Sequence, residues 1–127
     1  MTPKPTYRLG DLQLQIMKVL WNAGAATVAE VQRGLADEPL AYTTVATMLR
    51  KMEDRQFVAH VQKGRQFVYE PLVTAEEVTR SMADDLVERL FAGSLADTVS
   101  HLLRTREVSR RELAELEELI EQHKARK

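Results

Sequence analysis

Several features are scarce or missing in this chain of 127 residues, and each absence excludes a class of protein. There is no cysteine, which excludes disulfides, thiolate metal sites and cysteine nucleophiles. No apolar run approaches the roughly 20 residues that a membrane-spanning helix needs. The opening segment MTPKPTYR also lacks the apolar stretch of a secretory signal. We therefore predict a cytoplasmic protein without membrane insertion.

Patterns typical of enzymes and metal sites are missing as well. No Ser-His-Asp set, carboxylate pair or Gly-rich phosphate loop has catalytic spacing. The three histidines, His60, His101 and His123, share no spacing, so surface or hydrogen-bonded histidines are favoured over metal ligands. Trp21 falls on an apolar helical stripe, which favours core packing over ligand stacking. The sequence therefore predicts no enzyme, no cofactor and no metal.

Charge is nearly balanced over the whole chain but not along it. The net charge is −1, and residues 1–73 hold nine Lys and Arg against seven acids, whereas residues 74–127 hold nine against twelve. Five of the first nine cations lie between residues 50 and 65. A local cluster of this kind is enough to contact phosphates, although the balance of the whole N-terminal part is only mildly basic.

Helical patterns open the chain. Residues 9–22 form an amphipathic stretch that Asp11 can cap and Gly24 can end. Thr27 and Glu30 have the spacing of a capping box, which predicts a second helix from that point. Pro39 then breaks the chain.

A third helix and a hairpin follow, from Tyr42 to Pro71. The helix runs to about Gln56 and turns Val45, Met48, Leu49 and Met52 inward. Residues 57–61 and 66–69 are rich in strand-forming types and are joined across Lys63-Gly64. Three helices and a hairpin in this order predict a winged helix-turn-helix.

The outward residues of the third helix suit a DNA groove. Thr43, Thr44 and Thr47 are short, and their hydroxyl and methyl groups can meet base edges. Arg50 and Lys51 lie one to two turns further on, where we expect contacts with phosphate. The competing interpretation is an ordinary amphipathic helix with a Thr-rich start.

Two further groups are candidates for contact with the DNA backbone. Lys63 and Arg65 flank Gly64 at the tip of the hairpin, where they can rest on phosphates or enter a minor groove. The competing interpretation is a glycine turn with solvated charges. Tyr42 suits backbone contact and packing at the helix start equally well.

The last part of the chain predicts three amphipathic helices, at about 74–92, 94–106 and from Ser109 onward. Helices in so short a segment bury little surface alone, so we predict that they interlock with a second copy. The fold class is thus mostly α with a small β-hairpin, a winged helix at 1–73 followed by a helical dimerisation domain at 74–127. The predicted dimer contacts are Met82, Leu86, Leu90, Phe91, Leu95, Val99, Leu102, Leu103, Leu113, Leu116, Leu119 and Ile120.

Four segments of the sequence resemble the BlaI/MecI family of penicillinase-type repressors. They are IMKVLW, YTTVATMLRKM, FVYEP and LFAGSLADTVSHLL, and the last is the most specific. The resemblance implies a homodimeric repressor of an antibiotic-response operon that binds short inverted repeats in double-stranded DNA. Gln13 and Gln56 depart from the family pattern, which has an acidic residue and a glycine there. The missing cysteines rule out the copper sensing of a related branch.

The resemblance also implies a route of relief. The best-known members are inactivated when a membrane sensor protease signals cleavage within the dimerisation segment. The matching bond here is His101–Leu102, whose residue types differ from the cleaved Asn-Phe pair. Two alternatives remain: a winged helix used as a protein docking module, and a repressor that senses a ligand in its dimer segment.

Overall fold

The computed structural model describes residues 7–35 and 39–126. Over these residues the chain is mostly helical with one small antiparallel sheet, which confirms the predicted winged helix-turn-helix. The elements are α1 (Asp11–Ala23), β1 (Ala26–Thr27), α2 (Val28–Gly34), α3 (Tyr42–Asp54), β2 (Val58–Lys63), β3 (Gln66–Pro71), α4 (Ala75–Phe91), α5 (Leu95–Thr105) and α6 (Arg110–Ala125).

The first helix, predicted over residues 9–22, spans Asp11–Ala23, and its N-cap lies one residue before the predicted cap, Asp11. Gly10 is the N-cap, and its N–H donates to Gln13 Oε1 at 3.1 Å. Asp11, which we expected to cap, lies in the first turn, where a negative charge favours the helix dipole. At the other end Gly24 has a φ of 84° and its N–H donates to Leu20 O at 2.7 Å, as predicted.

Capping boxes start two later helices where the sequence predicts them. Thr27 N–H donates to Glu30 Oε1 (2.9 Å) and Glu30 N–H donates to Thr27 Oγ1 (3.2 Å), and Thr74 and Glu77 repeat the pattern. Hydrogen bonds from Thr27 and Thr74 lower the pKa of Glu30 and Glu77 respectively. At α6, Ser109 Oγ accepts from the backbone N–H of Glu112 at 3.0 Å.

One core joins the first three helices to the sheet and to the start of α4. Gly34 allows the end of α2 to approach α1, because a Cβ there would lie 2.9 Å from the Val19 methyl groups. Trp21 packs against this core and donates from Nε1 to Val73 O at 2.8 Å, so it has the structural role expected. The fully buried side chains are Ile16, Met17, Leu20, Val31, Val45, Leu49, Met52, Val58 and Val78.

The sheet has the strand order β1-β3-β2 and contains one strand that the sequence did not predict. That strand is β1, which pairs Ala26 with Tyr69 and Thr27 with Val68. Two residues are too few for an alternating pattern, so only the tertiary pairing reveals it. The hairpin register ends at Lys63 paired with Gln66, two residues beyond the predicted end of β2.

The turn from α3 into the wing requires a left-handed residue, and the chain places Gln56 there with a φ of 66°. Gln56 N–H donates to Glu53 O (2.9 Å) and Phe57 N–H donates to Met52 O (3.0 Å). This pair of bonds is the Schellman motif, in which glycine is the usual left-handed residue. The turn therefore forms without the glycine of the family pattern, at some cost in strain.

Replacing Gln56 with glycine is expected to stabilise the fold. The left-handed conformation costs a residue with a side chain roughly 1–2 kcal/mol, and glycine avoids this cost. Part of the gain is offset because glycine loses more conformational entropy on folding. We expect the free energy of unfolding in urea to rise by about 1 kcal/mol. Gln56→Ala is the control and should stay near wild type. A loss of stability in Gln56→Gly would contradict this turn geometry.

The chain divides into two compact units, Met1–Asp85 and Leu86–Lys127. The boundary predicted from the sequence lies at 73/74, whereas this division falls inside α4. Its first half belongs to the first unit because Val78 is buried in the core and Met82 packs against it. In the second unit, α5 begins at Leu95 after its N-cap Ser94, whose Oγ accepts from Asp97 N–H at 3.0 Å.

Candidate nucleic-acid interface

One face of α3 carries the residues predicted to meet DNA. Thr43, Thr44, Thr47, Arg50 and Lys51 are all exposed. Their spacing places them along one side of the helix over about 12 Å. The opposite side is fixed in the core by Val45, Leu49 and Met52. The helix therefore presents hydroxyls at its N-terminal end and cations further along.

Tyr42 is the first residue of this helix and is 53% exposed. Its N-cap neighbour Ala41 has no side chain that can accept a hydrogen bond. The backbone N–H groups of the first turn and the Tyr42 hydroxyl are thus available as donors near the three threonines. Such donors are the groups that commonly contact phosphate oxygens.

The wing adds two more exposed cations, Lys63 and Arg65. They flank Gly64, whose φ of 63° suits the first position of a two-residue hairpin turn. Gln62 Nε2 donates to Gly64 O at 3.2 Å and braces the turn. At the base of the hairpin, burial raises the pKa of Tyr69, and the charge of Glu53 raises it further.

Arg55, the fifth cation of the cluster, is used within the fold. Its Nη2 donates to Arg8 O at 2.7 Å, and its guanidinium carbon lies 4.9 Å from the centre of the Phe57 ring. By contrast, no salt bridge within the described residues engages Arg50, Lys51, Lys63 or Arg65. Four of the five clustered cations are therefore left for a partner.

Sequence reasoning missed a contact between α3 and the wing. Glu53 lies in the last turn of α3, and its carboxylate oxygens are 2.7 and 2.9 Å from His60 Nδ1 on β2. The imidazole also stacks on Phe67 of β3, with ring centres 4.3 Å apart. No periodic signal connects a helix residue to a strand residue across a turn, so only the structure reveals this pair.

The other histidines show no common site. His101 lies 5.5 Å from the Phe91 ring, measured between ring centres, and His123 lies in the last turn of α6. Among residues 7–35 and 39–126, no group of three or more His, Asp or Glu side chains could hold a metal ion. Within the same residues, none of the helices combines the length and the apolar character needed to cross a membrane.

The residues predicted to form dimer contacts are mostly exposed within one chain. Leu90 is 71% exposed and Leu95 is 67% exposed, while Met82, Phe91 and Leu116 are half-buried. Both residues of the predicted cleavage pair, His101 and Leu102, are exposed in the middle of α5. The remaining exposed members of the predicted set are Leu86, Val99, Leu102, Leu103, Leu113, Leu119 and Ile120.

Comparison with known proteins places the chain in a family. The family model described as "Penicillinase repressor" matches residues 9–122. The chain belongs to the penicillinase repressor family. Its members are DNA-binding transcriptional repressors and not enzymes. Family membership therefore confirms the predicted DNA-binding repressor and the prediction that the protein is not an enzyme.

Individual relatives of this family member cover most of its length. It is 28% identical over 121 residues to the penicillinase repressor of Bacillus licheniformis, with 94% of each chain covered. It is 33% identical over 118 residues to the transcriptional regulator BlaI of Mycobacterium tuberculosis. That match covers 87% of this chain and 86% of the relative. The solution structure of the DNA binding domain of the repressor BlaI is 28% identical, has a TM-score of 0.50, and matches 61% of this chain and 93% of that domain.

Proposed function

We propose that this repressor acts as a homodimer and reads an inverted-repeat operator with one winged helix on each half-site. The observation that carries the proposal is the single exposed face of α3, with Thr43, Thr44 and Thr47 at its start and two cations beyond them. In a helix-turn-helix, the N-terminal residues of the second helix enter the major groove. Residues 1–73 would then read DNA and residues 74–127 would hold two copies together, in the cytoplasm where the operator lies.

The proposed interface divides its work between two kinds of contact. Thr43, Thr44 and Thr47 face base edges and determine sequence preference. Cations and the hydroxyl of Tyr42 contact the backbone and determine general affinity. The wing reaches phosphates beside the groove through Lys63 and Arg65.

Exposed apolar side chains on the second unit support the homodimer. Leu90, Leu95 and Leu119 are each at least 60% exposed in the single chain. Large apolar side chains left this exposed on short helices are typical of a protein interface. Because a symmetric dimer has two-fold symmetry, its two reading helices match a palindrome with half-sites about one turn of DNA apart.

Relief of repression by cleavage at His101–Leu102 is part of the same proposal. Both residues lie inside α5, so the helix must open locally before a protease can bind the bond in extended form. Cleavage there would remove part of α5 and all of α6 and so weaken the link between the two reading domains. A membrane sensor protease is the partner implied by the family resemblance.

Threonine replacement tests the base-reading role. Thr44→Ala and Thr47→Ala should each lower affinity for the operator about ten-fold, since a good base contact discriminates by roughly 1–3 kcal/mol. Affinity for random duplex should stay within about two-fold, because phosphate contacts supply that binding. Fluorescence anisotropy with both duplexes measures the two affinities.

The matched control is Thr79→Ala, which removes the same groups from an exposed position on α4. It should leave both affinities unchanged. If Thr44→Ala and Thr47→Ala weaken operator and random DNA equally, these threonines do not read bases.

A further inference from the structure

The contact between Glu53 and His60 is the starting point. The His60 ring lies between a carboxylate of α3 and the Phe67 ring of β3, and its centre is also 5.4 Å from that of Tyr69. Glu53 and His60 are each about one-third exposed. One imidazole thus joins the end of the reading helix to both strands of the wing.

We propose that Glu53 and His60 are positioning residues that fix the wing relative to α3, so that the wing cations meet phosphates while the helix lies in its groove. The inference rests on the proposed function and adds to it two residues that need not touch DNA. Glu53 cannot bind a phosphate itself because both are negative. Any contribution of this carboxylate to affinity must therefore be indirect.

The outer part of the wing makes few other contacts with the described residues. The third strand, β1, pairs only with Tyr69 and Val68, at the base of the hairpin. Beyond them, within the part of the chain that the structure describes, β2 and β3 pair only with each other, and residues 61–67 are all exposed. A two-stranded ribbon without a covered face is marginally stable in water. The backbone pair of Thr27 with Val68 lies one residue pair nearer the tip than His60. Among the described residues, the hydrogen bond between Glu53 and His60 is the side-chain hydrogen bond that ties the ribbon to α3.

The distance from His60 to the tip of the wing turns a small rotation of the hairpin into a large displacement of the wing cations. Arg65 lies several residues beyond His60, at a distance of about 12 Å along the ribbon. A rotation of about 20° at His60 would move the tip by roughly 4 Å, which is more than the range of a hydrogen bond. The wing cations would then lose a fixed relation to phosphates that α3 has already positioned.

The contact has the chemistry of an orienting pair. Nδ1 lies within hydrogen-bond distance of both Glu53 oxygens, and a proton on that nitrogen can be shared between them. The Phe67 ring lies over the imidazole at an interplanar angle of 29° and restricts its rotation. Hydrogen bond and stacking together set both the position and the tilt of the hairpin.

A cycle of substitutions in the full chain tests the role. Lys63→Ala/Arg65→Ala should reduce the slope of log affinity against log salt by about 3 to 4, since two cations act in each of two copies. In a Glu53→Ala background, the same pair of substitutions should change the slope by less than half as much. Glu53→Ala alone should lower operator affinity on the order of ten-fold at 150 mM salt. Glu53→Gln, which can still accept from Nδ1, should restore most of the loss.

Glu70→Ala is the matched control, because Glu70 is an exposed acid on the wing whose side chain points away from His60. In a Glu70→Ala background, Lys63→Ala/Arg65→Ala should change the salt slope as much as in wild type. His60→Ala removes the other partner of the same contact and should change operator affinity and salt slope as Glu53→Ala does. The double variant Glu53→Ala/His60→Ala should show no further change. These variants report on the role even if one of them folds poorly.

Two results would overturn the inference, and they differ. If the wing cations contribute fully in the Glu53→Ala background, the pair does not position the wing, although DNA binding stands. If wild-type binding is insensitive to Lys63→Ala/Arg65→Ala, the wing is not part of the interface. The proposed division of contacts then fails together with this role.

Discussion

Replacing Leu95 and Leu102 with aspartate is expected to separate the dimer and to lower affinity for an inverted repeat by a factor of about 100 or more. Both leucines are exposed in the single chain, at 67% and 43%, and both lie on the apolar side of α5. Charges in an apolar interface would remain desolvated and unpaired, so the two copies should dissociate. Each freed reading domain then binds one half-site without the gain from a linked second contact.

Sedimentation and DNA binding measured on the same samples would check this. Wild type should favour a complete operator over a single half-site by a factor of about 100 to 10,000, whereas the variant should bind both alike. Ser100→Asp is the control, since it adds the same charge to α5 at an exposed polar position. A variant that sediments as a monomer yet retains full operator affinity would contradict the proposed assembly.

A steep salt dependence is the second large effect. Arg50, Lys51, Lys63 and Arg65 are exposed and free of salt bridges among the described residues, and two copies would neutralise on the order of eight phosphates. Affinity for the operator should therefore fall by a factor on the order of 10,000 between 50 and 200 mM salt. Removing Arg50 and Lys51 should reduce the slope by about half.

The matched control is Lys124→Ala, which removes one cation from an exposed position on α6. It should leave the slope unchanged, because the proposed interface does not include α6. Titration of a labelled operator at four or five salt concentrations gives each slope. Nearly constant affinity over this range, for wild type, would show that these cations do not contact phosphate.

Much of the fold follows from local patterns in the sequence. The spacing of Thr27 and Glu30 correctly predicts where α2 begins, and Gly24 correctly marks the end of α1. The period of apolar residues in α3 determines its exposed side, because burying Val45, Leu49 and Met52 leaves the threonines outside. These signals depend on residues close in sequence and need no knowledge of the tertiary structure.

Contacts between distant elements could not be predicted in this way. β1 exists because Ala26 and Thr27 meet β3, and nothing in those two residues indicates a strand. Arg55 is one of the five clustered cations, and its guanidinium donates to the carbonyl of Arg8, 47 residues away. The contact between Glu53 and His60 depends on the turn at Gln56, which directs the chain into the wing. Local sequence patterns do not predict a left-handed conformation for a glutamine.

Footprinting of the full chain on the DNA upstream of its own gene tests whether two copies bind an inverted-repeat operator. We expect a protected segment that contains an inverted repeat, with half-sites centred about one turn apart and two chains bound. Protection should disappear as salt is raised. No protection at low salt, from protein that sediments as a dimer, would contradict operator binding and favour the use of the winged helix as a protein docking surface.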